Sequence, residues 1–133
     1  MSKVFHILHV EDSCDDADLV ALALQRGGFP CEIRCVDTEP DFIAALATAT
    51  PDAILCDYDM PAFGPERAFA ILREKGLDLP FIVVSHHVGL SETLPGGMMK
   101  GVDGYVPKRE LRRLSLVIAA AVERRRRALH APG

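Results

Sequence analysis

An α/β protein, a doubly wound five-stranded parallel sheet with helices on both faces, is the fold class this sequence predicts, and three observations point to it. Short apolar runs rich in β-branched residues alternate with segments of helical period, the pattern of a parallel sheet covered on both sides. Acidic side chains close two of those runs: Glu11 and Asp12 follow Val4 to Val10, and Asp57 follows Ala53 to Cys56. The chain has 133 residues, 49% hydrophobic and 26% charged, which fits one compact domain over residues 1–133 with its core from about Lys3 to Leu129.

Taken in order, the expected strands are Val4 to Val10, Cys31 to Val36, Ala53 to Cys56, Phe81 to Ser85 and Gly104 to Val106. Ser13 can cap a first helix whose opening turn carries Asp15 and Asp16 and which Gly27-Gly28 closes. Its apolar face is read as Leu19, Leu22 and Ala23. Thr38 caps a second helix with Pro40 in its first turn; Phe42, Ala45, Leu46 and Ala49 point inward, and Pro51 stops it. Gly64-Pro65 starts a third helix that runs to about Lys75 and ends at Gly76. A fourth helix is interrupted by Pro95-Gly96-Gly97. The fifth, from about Glu110 to Leu129, sets Leu111, Leu114, Ile118 and Ala121 on one face.

Composition excludes several functions. The formal charge of -4 gives no long-range attraction to nucleic acid or anionic lipid. Arg124 to Arg127 form a basic helix end, but cations in a last turn complement the helix dipole without any partner, and no nucleic-acid interaction is expected. No apolar stretch reaches the roughly 18 to 20 residues that span a bilayer, so no membrane role and a cytoplasmic location are expected. Cys14, Cys31, Cys35 and Cys56 contain no CxxC pair, which argues against zinc or a structural disulfide. The start at Met1 and the polar C-terminal end favour a complete single-domain protein.

In a doubly wound sheet, ligands bind beyond the carboxyl ends of the strands, at the point where strand order reverses. The polar residues there are Glu11 and Asp12, Asp57 and Asp59, Ser85, and Lys108. Carboxylates that meet at one sheet edge repel each other unless a cation sits among them, which makes this a candidate Mg²⁺ site. Two or three carboxylates, one hydroxyl and one ammonium are the parts needed to move a phosphoryl group. An Asp nucleophile gives a hydrolysable acyl phosphate suited to a transient signal.

Four segments in register, Val10-Glu11-Asp12-Ser13, Asp57-Tyr58-Asp59-Met60-Pro61, Ser85 after Phe81 to Val84, and Gly104-Tyr105-Val106-Pro107-Lys108, resemble the receiver domain of bacterial two-component response regulators. The resemblance covers nearly the whole chain and implies the flavodoxin-like receiver fold. It implies Asp57 as phosphoacceptor, with Asp12, Asp57 and the main-chain oxygen of Asp59 as metal ligands and Glu11 acting through a metal-bound water. Ser85 and Lys108 would bind the phosphoryl group, and Tyr105 occupies the switch-aromatic position. The Asp59 side chain is expected only to face solvent near the entrance.

The sequence also departs from the family pattern. His86, followed by His87, stands where a small residue is usual, and its bulk would gate access to Asp57. Proline precedes Lys108 rather than following it, and Gly64-Pro65 replaces a glycine one place later.

The expected function is that of a phosphoacceptor receiver in a phosphorelay, with Mg²⁺ as cofactor. It would be loaded by a sensor histidine kinase or histidine phosphotransfer protein and read out through changed protein binding, with no enzyme activity beyond slow self-dephosphorylation. The resemblance allows a phosphorylation-driven homodimer through the fourth and fifth helices. Two alternatives stand beside it. One is a phosphorylation-independent interaction module of the same fold. The other is an Asp-nucleophile phosphatase of the haloacid-dehalogenase type, suggested by Asp57-x-Asp59 but short of chain for a substrate cap. A flavin site is excluded, because the acidic loop from Glu11 to Asp16 would repel a flavin phosphate.

Overall fold

Alternation of small polar or capping residues with apolar runs places the elements close to where the sequence predicts them. A computed structural model describes residues 4–60, 63–86 and 101–130. Strands β1 (Phe5–Val10), β2 (Cys31–Val36), β3 (Ala53–Asp57), β4 (Phe81–Ser85) and β5 (Gly104–Pro107) make one parallel sheet in the order β2-β1-β3-β4-β5. The chain winds outward from β1 to β2, then crosses back to β3 and continues the other way. The reversal falls between β1 and β3. Their register pairs Val10 with Cys56, so Glu11 and Asp57 come next at neighbouring strand ends.

Helices α1 (Cys14–Arg26), α2 (Glu39–Thr48), α3 (Pro65–Glu74) and α4 (Leu114–His130) cover the sheet. Ser13 Oγ accepts from the Asp16 amide at 3.2 Å, and Thr38 Oγ1 accepts from the Asp41 amide at 3.2 Å, each satisfying a donor that the helix itself leaves open. Pro40 and Pro65 lie in first turns, where the missing N–H costs nothing. Gly28 and Gly76 both take φ of 69° after their helices, a left-handed turn that suits glycine.

Side chains alternate across the sheet with period two. Leu8, Val10, Ile54, Cys56, Phe81 and Val83 join one core with Phe42, Leu46, Ile71 and Leu72. Ile7, Leu55, Ile82, Val84 and Val106 join the other with Val20, Leu24, Leu114 and Ile118. Every residue of β3 and β4 is buried, as expected of central parallel strands.

The elements differ from the predicted ones in three places. Helix α1 buries Val20 and Leu24, whereas Leu19 is 53% and Leu22 40% exposed. Apolar residues ring most of this helix, so periodicity alone could not choose its inward face. Ala49 caps the end of α2 in extended conformation and is exposed instead of pointing inward. The C-terminal helix does not start near Glu110; a 3₁₀ segment over Lys108–Arg113, non-helical at Glu110, precedes it. Lys108 is tied into the pocket at the strand ends, which fixes the chain direction where the helix would otherwise begin. The predicted fourth helix and His87 lie outside the described residues.

Candidate functional site

Four strand ends and the first turn of α1 converge on one pocket. Glu11 extends β1 by one residue, its amide donating to Val36 O at 3.0 Å, and its side chain is buried. Asp57 closes β3 and Ser85 closes β4, both buried, while Asp12 is exposed at the pocket's outer side. Ser85 pairs with Pro107, so Lys108 emerges beside it from β5.

Lys108 is the only ammonium among the described pocket residues, and three carboxylates hold it. Its Nζ lies 2.9 Å from Glu11 Oε1, 2.8 Å from Asp16 Oδ2 and 3.3 Å from Asp57 Oδ1, with the lysine side chain only 6% exposed. Burial works against that charge, yet the hydrogen bonds to Asp16 and Glu11 and the charge of Asp57 keep the ammonium above its usual range. Asp16 is correspondingly held below the ordinary carboxylate range, chiefly by its bond to Lys108. Asp57 behaves in the opposite way. Burial, and then the charge of Glu11, push its carboxyl up to about 6, against the pull of Lys108 and the Asp59 amide at 3.3 Å.

Carboxylate oxygens of Glu11, Asp12 and Asp57 lie within 4.8 Å of one another. With Asp16 they outnumber the single lysine, and an oxygen-only donor set carrying excess negative charge fits a hard divalent cation such as Mg²⁺. Burial first, and then the neighbouring Glu11 charge, raise the Asp57 carboxyl. A cation there would lower it.

Asp59 corrects the sequence-based expectation. Its side chain does not merely face solvent: Oδ2 accepts from Ser85 Oγ at 3.3 Å and from the His86 amide at 3.3 Å, joining the ends of β3 and β4. His86 is exposed, and its Nε2 lies 3.2 Å from Asp16 Oδ2. Tyr105 is half-buried, aligned with Val83, and packs on the core that contains Phe81.

Two pocket residues escape a reading of the sequence. Asp16 reads there as a helix-opening charge, although its place one turn after Asp12 on a helix capped by Ser13 puts it over the strand ends. His9 is fully buried beneath Glu11, with Nδ1 3.8 Å from Cys35 Sγ and Nε2 4.0 Å from Glu11 Oε1. Burial, and next the charge of Lys108, bring its imidazole down to about 4. The available signal is a histidine at a buried position of β1, between the apolar Leu8 and Val10.

The arginine run sits elsewhere. Arg125 pairs with Asp103 at 3.0 Å and with Asp78, Arg124 donates to Asp103 O at 3.2 Å, and Arg127 lies 3.4 Å from Glu123. These cations bind the protein's own acids. Among the described residues, no helix is long and apolar enough to cross a membrane.

A doubly wound parallel sheet that gathers carboxylates, a lysine and a hydroxyl at its switch point is an α/β fold with its ligand site at the strand ends. Residues 7–119 match the response regulator receiver domain family. The chain belongs to that family, the receiver domains of two-component systems. It is 29% identical over 102 residues to the response regulator MprA of Mycobacterium ulcerans, an alignment that takes in 77% of this chain and 43% of that protein. The chain thus spans less than half of that relative's length.

Solved structures repeat the fold. A crystal structure described as a sensor protein from Polaromonas sp. JS666 superposes with a TM-score of 0.73 at 25% identity, covering 90% of this chain and 96% of that one. A response regulator receiver domain protein from Clostridium thermocellum gives 0.74 at 17% identity, covering 92% and 98%.

Proposed function

We propose that this chain is a phosphoacceptor receiver that takes a phosphoryl group onto Asp57 from a phosphohistidine partner and signals through changed protein binding. The observation that carries this reading is the buried Asp57 carboxylate, 3.3 Å from Lys108 and joined by Glu11 and Asp12 at the switch point of the sheet. In the transfer, an Asp57 oxygen attacks phosphorus, the P–O bond forms as the P–N bond to the donor imidazole breaks, and the departing nitrogen keeps the electron pair. Asp12, Asp57 and the main-chain oxygen of Asp59 would hold Mg²⁺, with Glu11 acting through water, and the ion would supply positive charge against the phosphoryl oxygens. Lys108 and Ser85 would follow the phosphoryl group inward, Tyr105 would turn into the vacated space, and His86 would gate the approach. The donor would be a sensor histidine kinase or a histidine phosphotransfer protein.

Intact mass after incubation with acetyl phosphate or phosphoramidate tests this. The expected result is a gain of about 80 Da that requires Mg²⁺ and vanishes in Asp57→Asn. A folded, Mg²⁺-binding wild type that gains no mass from either donor, or from a phosphorylated histidine phosphotransfer domain, favours the phosphorylation-independent module instead.

A further inference from the structure

One oxygen of Asp16 is shared by two groups that arrive from the far side of the phosphoacceptor. Oδ2 receives Lys108 Nζ at 2.8 Å and stands 3.2 Å from His86 Nε2. Lys108 follows β5 and His86 follows β4, whereas Asp16 lies on α1, which follows β1. In the sheet order, β3 lies between β1 and β4, so both contacts pass the end of β3, where Asp57 sits. Asp16 is 19% and Lys108 6% exposed by side chain, so the junction is largely shielded, while the His86 ring, 61% exposed, forms its outer edge.

We propose that Asp16 is a positioning residue that latches the unphosphorylated pocket, engaging the Lys108 ammonium that also lies 3.3 Å from Asp57 Oδ1 and fastening His86 across the approach to Asp57. The proposal rests on the phosphoacceptor reading and adds to it a residue outside the acidic pair. A phosphoryl group on Asp57 needs the lysine that Asp16 holds and the space that His86 closes. Because one oxygen serves both, loss of the Asp16 carboxylate releases both at once. Glu11, also 2.9 Å from Lys108, keeps the lysine in the pocket once Asp16 lets go. The latch therefore opens without expelling the ammonium.

The latch predicts a coupled kinetic effect. Phosphorylation of the full chain by phosphoramidate with Mg²⁺ is followed by intact mass for wild type, Asp16→Ala, His86→Ala, the double variant and Asp15→Ala. Asp15 sits in the same helical turn, is exposed, and carries the same charge, so it reports any general effect of removing an acid from this helix end. Asp16→Ala is expected to load about fivefold faster, the effect of one net hydrogen bond. The double variant should load no faster than the faster single, because both act on one junction. Asp15→Ala should stay within about twofold of wild type.

The proposal is overturned if Asp16→Ala loads no faster than wild type, if Asp15→Ala matches it, or if the two single effects multiply. Ring ¹⁵N resonances of His86 decide it independently of any phosphoryl transfer. A shift at Nε2 on Asp16→Ala supports the latch, and an unchanged resonance overturns it. A wild type that loads neither from phosphoramidate nor from a phosphorylated histidine phosphotransfer domain would refute the phosphoacceptor reading and with it the latch's kinetic role, and a His86 resonance that still responds to Asp16→Ala would then report only the Asp16–His86 contact.

Discussion

Asp57 is an acid whose folded surroundings disfavour its charged form, chiefly through burial. Burial, and then the Glu11 charge, push its carboxyl up to about 6, against about 3.9 in an unfolded chain. Between those values the folded state binds more protons than the unfolded one, so stability falls as pH rises from about 4 to about 6 and stays lower above that. Asp57→Asn is therefore expected to raise cation-free stability near neutral pH by on the order of 1–3 kcal/mol, with the gain vanishing toward about pH 4. Urea unfolding across that range checks it. Saturating Mg²⁺ should narrow the gap by stabilising the wild type more than the variant. Residues at strand ends are legible in the sequence because each buried apolar run marks the polar residue that terminates it: Glu11, Asp12, Asp57, Ser85 and Lys108 all converge. Asp16 and the Asp59 carboxylate are not, since their roles depend on helix rotation and on a contact between β3 and β4 that spacing does not encode.

At the level of elements, α1 shows where pattern reading loses its grip. Ala17, Leu19, Val20, Ala21, Leu22, Ala23 and Leu24 leave little polar surface to mark the outer face, and the packing of Val20 and Leu24 under the sheet decides it. Leu24→Ala should cost about 2–5 kcal/mol, the range for a large-to-small change in a core, while Leu22→Ala should stay within about 0.5 kcal/mol. Chemical unfolding of the two variants separates the faces; equal costs would put the helix in the other rotation. Strands β3 and β4 are the easiest elements to read, because their burial on both faces leaves an unbroken apolar run. The start of α4 is the hardest. It is displaced by the anchoring of Lys108, a long-range contact with Glu11 and Asp16 that no local signal carries.

Across the whole molecule, two cores share one sheet, with Ile54, Cys56 and Phe81 facing one and Leu55, Ile82 and Val84 facing the other. Neither core can lose its packing without disturbing strands that hold the other. Thermal unfolding should therefore be a single transition, with circular dichroism and tyrosine fluorescence coinciding, for wild type and for Ile71→Ala and Ile118→Ala, which each weaken a different side. Separate transitions would mean that the two sides melt independently. Among the described residues, the same sheet ends in two edge strands, β2 and β5. Of these, β2 turns Glu32 and Arg34 to solvent, and the short β5 ends in Pro107, which has no N–H to offer a neighbour. Charge on one flank and a missing donor on the other discourage copies of this chain from extending the sheet strand to strand, which protects the fold against ordered aggregation.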